Sequence, residues 1–170
     1  MTRDGRPRVD PGLSELGEFG LIARLTGDLE VGPGVEVGVG DDAAILATTP
    51  GHKLVVTTDV IVEGLDFTAE LSEPEDWGWK AVAVNLSDLA AMAAEARWAV
   101  LALTVPEQTP VDRLDRVYAG IAEACRTYGV SLVGGDVSAG PVLSLAVTAL
   151  GEVERPVLRS GARPGDRLAV

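Results

Sequence analysis

The chain has a single histidine, His52, and a single cysteine, Cys125. One thiol cannot close an intramolecular disulfide, so a reducing compartment, the cytoplasm, is the expected location. Nor does any Cys/His spacing suit zinc. Basic residues are scarce too, with 14 Lys and Arg against 26 Asp and Glu and a formal charge of −12. Such a surface repels nucleic-acid phosphates, and no basic cluster beyond a scattered pair offsets it. No apolar run approaches the roughly 18 residues of a membrane span, and residues 1–12 lack the apolar stretch of a secretory signal. Walker-type phosphate loops, kinase catalytic-loop and Asp-Phe-Gly signatures are absent, and Gly38-Val39-Gly40 lacks the third glycine of a dinucleotide fingerprint. His52 has no neighbour to orient it as a base and reads as a solvated loop residue.

What is present is enough for a core: 170 residues, 46% of them hydrophobic, with a mean hydropathy of +0.21. Residues 1–13 read as a loose leader. Ser14 is a candidate cap for a helix whose apolar face is Leu16, Phe19, Leu21, Ile22 and Leu25, ending at Gly27. Val35, Val37 and Val39 alternate as a strand, the acidic pair makes a turn, and a second strand follows over 43–47. The β-branched run Lys53–Val62 predicts a long buried strand interrupted at Thr57, Thr58 and Asp59. Pro74 opens a helix, and its continuation over 80–95 is so apolar that burial on nearly every side is expected. Trp98–Val105 is a strand. Thr109 and Pro110 start the chain's clearest amphipathic helix, which runs to Gly129. Val130–Val133 forms a short strand leading into a glycine turn, and Val142–Val153 a longer one. This order predicts an α+β (α/β-like) domain, a mixed sheet with helices on one face. The other face, left apolar, would pair with a second copy in a barrel-like homodimer.

Four acidic signatures punctuate these elements: Gly40-Asp41-Asp42, Thr57-Thr58-Asp59, Asn85-Leu86-Ser87-Asp88 and Gly134-Gly135-Asp136. Carboxylates beside hydrophobic elements are costly to desolvate without hydrogen bonds or a cation. With almost no His or Cys, the cation that suits them is hard, Mg²⁺ carrying phosphates. Each signature alone has a plainer reading. Asp41-Asp42 suits an Asx-turn, Asp88 a salt bridge to Lys80 or Arg97, and Gly134-Gly135-Asp136 a hairpin turn. Taken together they predict one shared cation site, with Asn85 and Asp88 on one helix face.

Residues 17–22 (Gly-Glu-Phe-Gly-Leu-Ile), 38–44 (Gly-Val-Gly-Asp-Asp-Ala-Ala), 57–64, 80–92, 134–136 and 159–166 (Arg-Ser-Gly-Ala-Arg-Pro-Gly-Asp) resemble, in order, the thiamine-monophosphate kinase family. The wider superfamily includes aminoimidazole ribonucleotide synthetase, selenophosphate synthetase and a hydrogenase maturation protein. The resemblance implies ATP-dependent phosphorylation of thiamine monophosphate to thiamine diphosphate, by direct Mg²⁺-assisted transfer without a dedicated protein base. By position, Asp42, Thr57, Thr58, Asp59, Asp88 and Asp136 would be metal ligands, and Tyr118, Gly135, Asp136 and Arg159 would contact ATP. Asp66 replaces the family's substrate-contacting histidine, and Ala139 replaces an arginine beside the nucleotide loop. Family members are about twice this long. The resemblance therefore implies that residues 14–155 are the N-terminal Mg-ATP-binding and dimerisation domain, and 156–170 a linker and first strand toward another domain. Little activity is then expected from this half alone. The alternatives are a related synthetase of the superfamily, or a non-catalytic nucleotide-binding dimerisation module.

Overall fold

A computed structural model describes residues 13–27 and 29–167. The expected leader and the strand over 167–170 lie largely outside them. The first helix, α1 (Leu13–Thr26), is broken at Gly17, whose φ of 63° and ψ of 173° are not helical. Ser14 falls inside this helix and is not its cap. Leu21 and Leu25, one turn apart, are buried, and Arg24 ties the helix to Asp115 with two guanidinium nitrogens, the shorter contact being 2.5 Å. Phe19 was expected on the buried face but is 86% exposed. It lies two residues from Leu21, on another side of the helix.

Two short strands, β1 (Val35–Val37) and β2 (Ile45–Leu46), pair antiparallel, so that residues 38–44 form the loop of a hairpin. The main sheet has four strands, β3 (Lys53–Val62), β4 (Glu95–Val105), β5 (Ser131–Ala139) and β6 (Ser144–Val153), in the order β3-β6-β4-β5. β4 and β5 are parallel, and β6 is antiparallel to both β3 and β4. The sheet is mixed, as the order of the elements implied, and it is not closed into a barrel. β3 keeps its expected limits, and Thr57, Thr58 and Asp59 continue its ladder without interruption. β5, in contrast, runs through Gly134, Gly135 and Asp136. The expected glycine turn is ordinary strand, because pairing with β4 outweighs the turn preference of paired glycines.

Two helices, α2 (Pro74–Ala91) and α3 (Val111–Tyr128), cover one face of the sheet. α2 begins with a reciprocal Glu73–Asp76 capping box and Pro74 in its first turn. α3 starts from Pro110 without a side-chain cap, so Thr109 does not play the expected part, and it ends on Gly129 in the left-handed conformation. Ala149, Val147 and Leu145 of β6, with Leu101 and Leu103 of β4, are buried beneath the helices. α2 was expected to be buried on nearly every side. Instead Lys80, Ser87, Asp88 and Ala90 are exposed along it. Among the described residues no helix is long and apolar enough to cross a membrane.

The two helices meet backbone to backbone. A methyl group on Gly120 would lie 1.9 Å from the carbonyl oxygen of Glu75, and one on Gly78 would lie 2.0 Å from that of Val117. No side-chain rearrangement relieves a clash with main chain, so any larger residue pushes the helices apart. Gly120→Ala is expected to destabilise the chain by about 3 kcal/mol, the upper range for overpacking. Urea titration checks this, and an unshifted midpoint would show the helices to be free to separate.

Candidate functional site

Alternation along the strands decides where each predicted site residue stands. Thr57 pairs with Ala149 and Asp59 with Val147, both buried under the helices, so Thr57 and Asp59 face α2. Thr58 faces the opposite, open side. Its hydroxyl donates to the Val147 carbonyl at 3.0 Å and accepts from Thr148 at 3.0 Å. Thr57 and Thr58 therefore do not present their hydroxyls side by side. Ala102 pairs with both Asp136 and Ala146, and Ala146 with Val60, which places Asp136 on the open side. β3 and β5 are the two edges of the sheet, three strand spacings or about 14 Å apart.

The four signatures thus form two groups, not one. At the β3 edge, Thr57 Oγ1 donates to Asp88 Oδ2 at 2.8 Å, and the Asp59 N–H donates to Asn85 Oδ1 at 2.9 Å. Asp88, expected as a buried carboxylate, is exposed at the helix rim. Neither proposed salt bridge forms: Lys80 Nζ donates to the Asp66 carbonyl at 2.6 Å, and Arg97 pairs with Glu95 and Glu152. Asp66 Oδ2 accepts the Val62 N–H at 2.9 Å, closing the turn after β3. Glu63 in the same turn pairs with Arg113, whose guanidinium sits 4.6 Å from the Trp77 ring centre. Trp77 in turn stacks on Phe67 at 4.8 Å.

The second group surrounds a cavity of about 560 Å³ at the β5 edge. Its lining includes Asp41 and Asp42 from the hairpin loop, Gly134, Gly135 and Asp136 from β5, and Tyr118 from α3. Asp41 Oδ1 accepts the N–H of Asp42 at 2.8 Å, and Asp136 accepts from the Ser138 hydroxyl at 2.8 Å. Burial pushes the Tyr118 phenol up to about 12, so it stays protonated and offers a hydrogen-bond donor at any ordinary pH. A Cβ on Gly135 would stand 2.0 Å from the Leu101 carbonyl oxygen. Only glycine lets β5 come so close to β4 there. Arg159 sits on an exposed turn of 3₁₀ helix, Arg159–Gly161, and is not part of the cavity wall.

Residues 40–153 match the family described as AIR synthase related protein, N-terminal domain. The chain belongs to that family. Within it, the thiamine-monophosphate kinase of Synechococcus elongatus is 44% identical over 159 residues, covering 92% of this chain and 47% of that protein. Among solved structures, AaThiL complexed with AMPPCP and TMP aligns with a TM-score of 0.65 at 40% identity, over 91% of this chain and 48% of that one. The hydrogenase maturation protein HypE in complex with ATP aligns with a TM-score of 0.66 at 27% identity, over 84% and 43%. This chain spans about half the length of the relatives it matches.

A Mg²⁺ ion would need hard oxygen donors and carboxylates not already paired with a cation, and both edges meet that test. Among the described residues no Lys, Arg or His forms an ion pair with Asp42, Asp59, Asp88 or Asp136. Nor do the described residues hold any group of three or more candidate ligands. Mg²⁺ commonly takes one or two protein carboxylates and completes its shell with water and substrate phosphates. Two sparse carboxylate groups suit that ion better than a closed protein cage does.

How the acidic hairpin is fastened was not legible in the sequence. Gly32 N–H donates to Ser131 Oγ at 2.8 Å, and beyond β2 Thr49 donates to Glu152 from its N–H at 2.5 Å and its hydroxyl at 2.7 Å. Glu152 is 4% exposed. His52 beside it was expected in solvent, yet its Nδ1 is buried without a hydrogen-bond partner. Burial pushes the Glu152 carboxyl up, but the two Thr49 bonds and the charges of Arg97 and His52 outweigh it and hold the group below the usual glutamate range. A depressed folded-state pKa stabilises above the unfolded value and loses that contribution as pH falls through the folded one. Glu152→Gln is therefore expected to cost about 1.5–3 kcal/mol at neutral pH, a cost that fades as pH falls below the ordinary glutamate range and through the lowered folded-state value. Denaturation midpoints across pH read this directly; a cost independent of pH would contradict it.

Proposed function

We propose that the chain is the nucleotide- and metal-binding half of a thiamine-monophosphate kinase, using ATP to convert thiamine monophosphate to thiamine diphosphate in the cytoplasm. The observation that carries this reading is the 40–44% identity to proteins of that name over nine-tenths of the chain, against 27% to HypE. A second reading, a related synthetase of the superfamily, draws only on Asp66, whose carboxylate replaces an expected histidine and is already committed to the Val62 N–H.

In this reading residues 14–155 form the binding domain. Gly135, Asp136 and Tyr118 contact ATP in the β5-edge cavity, and Arg159, which stands outside the cavity wall, is assigned its ATP contact from the family resemblance alone. Asp42 and Asp136 hold metal at that edge, and Asp59, Asp88 and Thr57 at the other, Thr58 reaching metal only from the open side. Bound Mg²⁺ supplies charge neutralisation across the polyphosphate. The chain's own groups orient the phosphates: the β5 backbone at Gly134 and Gly135 lines the cavity that receives them, and the Tyr118 hydroxyl, kept protonated by its burial, donates to them. No residue need remove a proton, because the acceptor is itself a phosphate. Asp66 stands on the acceptor side, in the turn fastened by Lys80 and Arg113.

The open sheet face supports a homodimer. Leu54, Val56 and Val60 are each about half exposed along β3, and Val100, Ala102, Ala146 and Leu150 continue the surface without a charge. A second copy would cover it and bring carboxylates from both edges into one assembly.

Isothermal titration of the chain with ATP is expected to show binding that requires Mg²⁺ and that weakens about 10-fold or more in Asp59→Asn or Asp88→Asn, the loss of one charged ligand. Binding that ignores both Mg²⁺ and these substitutions would sink the kinase-half reading. So would turnover of thiamine monophosphate by the chain at the rate of a full-length relative. Val60→Glu, which places a charge in the centre of the open face, is expected to convert a dimer to monomers with unchanged helix content. Sedimentation velocity decides, and an unaffected dimer would place the contact elsewhere.

A further inference from the structure

Asn85 is the one fully buried polar residue on α2, with no exposed surface. Its Oδ1 accepts the N–H of Asp59 at 2.9 Å, and its Nδ2 donates to the Ala81 carbonyl one turn back at 3.0 Å. Both ends of the amide are committed to main chain. The reversed orientation would set an NH₂ against an N–H and an oxygen against a carbonyl, so only one works. Asn85 therefore has no group to offer a ligand in solvent.

What the amide does is fix register. β3 is a sheet edge, and the Asp59 N–H is taken by a helix side chain in place of a neighbouring strand. The helix runs antiparallel to the strand along this rim. Two residues back on β3, about 7 Å, and three residues on along α2, about 4.5 Å, bring Thr57 opposite Asp88. The 2.8 Å bond between Thr57 Oγ1 and Asp88 Oδ2 is the result. A slip of β3 by one residue in its pairing with β6 would turn Thr58 toward the helix and carry Thr57 and Asp59 to the open face, and the Asn85 contact opposes it.

We propose that Asn85 is a positioning residue for metal: it locks the β3 rim against α2 so that the Asp59 and Asp88 carboxylates are held on one side at a fixed spacing. This rests on the reading that those two carboxylates take Mg²⁺. Asn85 touches neither metal nor nucleotide and acts through its hold on the Asp59 main chain.

The test is a double-mutant cycle on the chain, with Mn²⁺ alone as probe and binding read by electron paramagnetic resonance well below the melting temperature. The variants are Asn85→Leu, Asn85→Ser, Asp88→Asn and each pair. Asn85→Leu and Asn85→Ser are expected to weaken Mn²⁺ binding about 10–100-fold, the range for residues that support metal ligands. In the Asp88→Asn background the same change is expected to cost less than about 2-fold, because the spacing it controls no longer matters. Wild-type affinity in folded Asn85 variants, or an equal loss in both backgrounds, overturns the positioning role and leaves Asn85 as packing. Unchanged affinity in Asp88→Asn overturns the metal reading itself. Should neither Asn85 variant fold, amide exchange on the wild type decides: the Asp59 N–H is expected to be slowed about 100-fold or more relative to an open amide, and free exchange would refute the clamp.

Discussion

α2 and α3 touch through main chain at Gly78 and Gly120, and both candidate sites hang on that contact. Neither position has room for a methyl group, so the helices cannot shift outward or rotate without losing the fit. α2 is thereby set against β3 and β6, which brings Asn85 under the rim at Asp59. α3 is set beside β5, which brings Tyr118 into the cavity wall. Ion pairs from Arg116 to Glu73 and Glu75 fasten the same crossing at the surface, where they add orientation more than energy.

Much of this architecture was legible in the sequence where one strong local preference acted. The β-branched run Lys53–Val62 gave β3 its limits, and the spacing from Val111 to Cys125 gave α3. Legibility failed where a distant partner decided the outcome. Gly134 and Gly135 prefer turns, yet lie mid-strand because β4 offers them a ladder. Thr109 looks like a cap, but the chain turns one residue later. Phe19 fits a helical apolar face only if Gly17 is assumed to be helical too.

The site was legible as chemistry and not as geometry. Counting carboxylates beside apolar segments pointed to a hard cation, and the order of the motifs pointed to the family. Sequence spacing could not say that β6, the last of the described strands, would insert between β3 and β4 and divide the carboxylates between two edges. It also gave no sign of the residues that hold the acidic hairpin, since Glu152 reads as one more polar position at the end of a strand and its partner Thr49 as part of a turn.

β6 also governs how the molecule can form. Of the described strands β6, residues 144–153, emerges last from a ribosome, yet among the described residues β3 has no other strand partner and β4 has only β5 without it. A growing chain can assemble β4, α3 and β5 as a local unit, while β3 and its acidic rim wait with an unpaired backbone. The pairing of Lys53 with Val153 spans nearly the whole of the sheet-forming sequence, a long loop to close and a slow one by the usual dependence of rate on contact separation. The β3 edge is therefore completed only after the other described strands have been made.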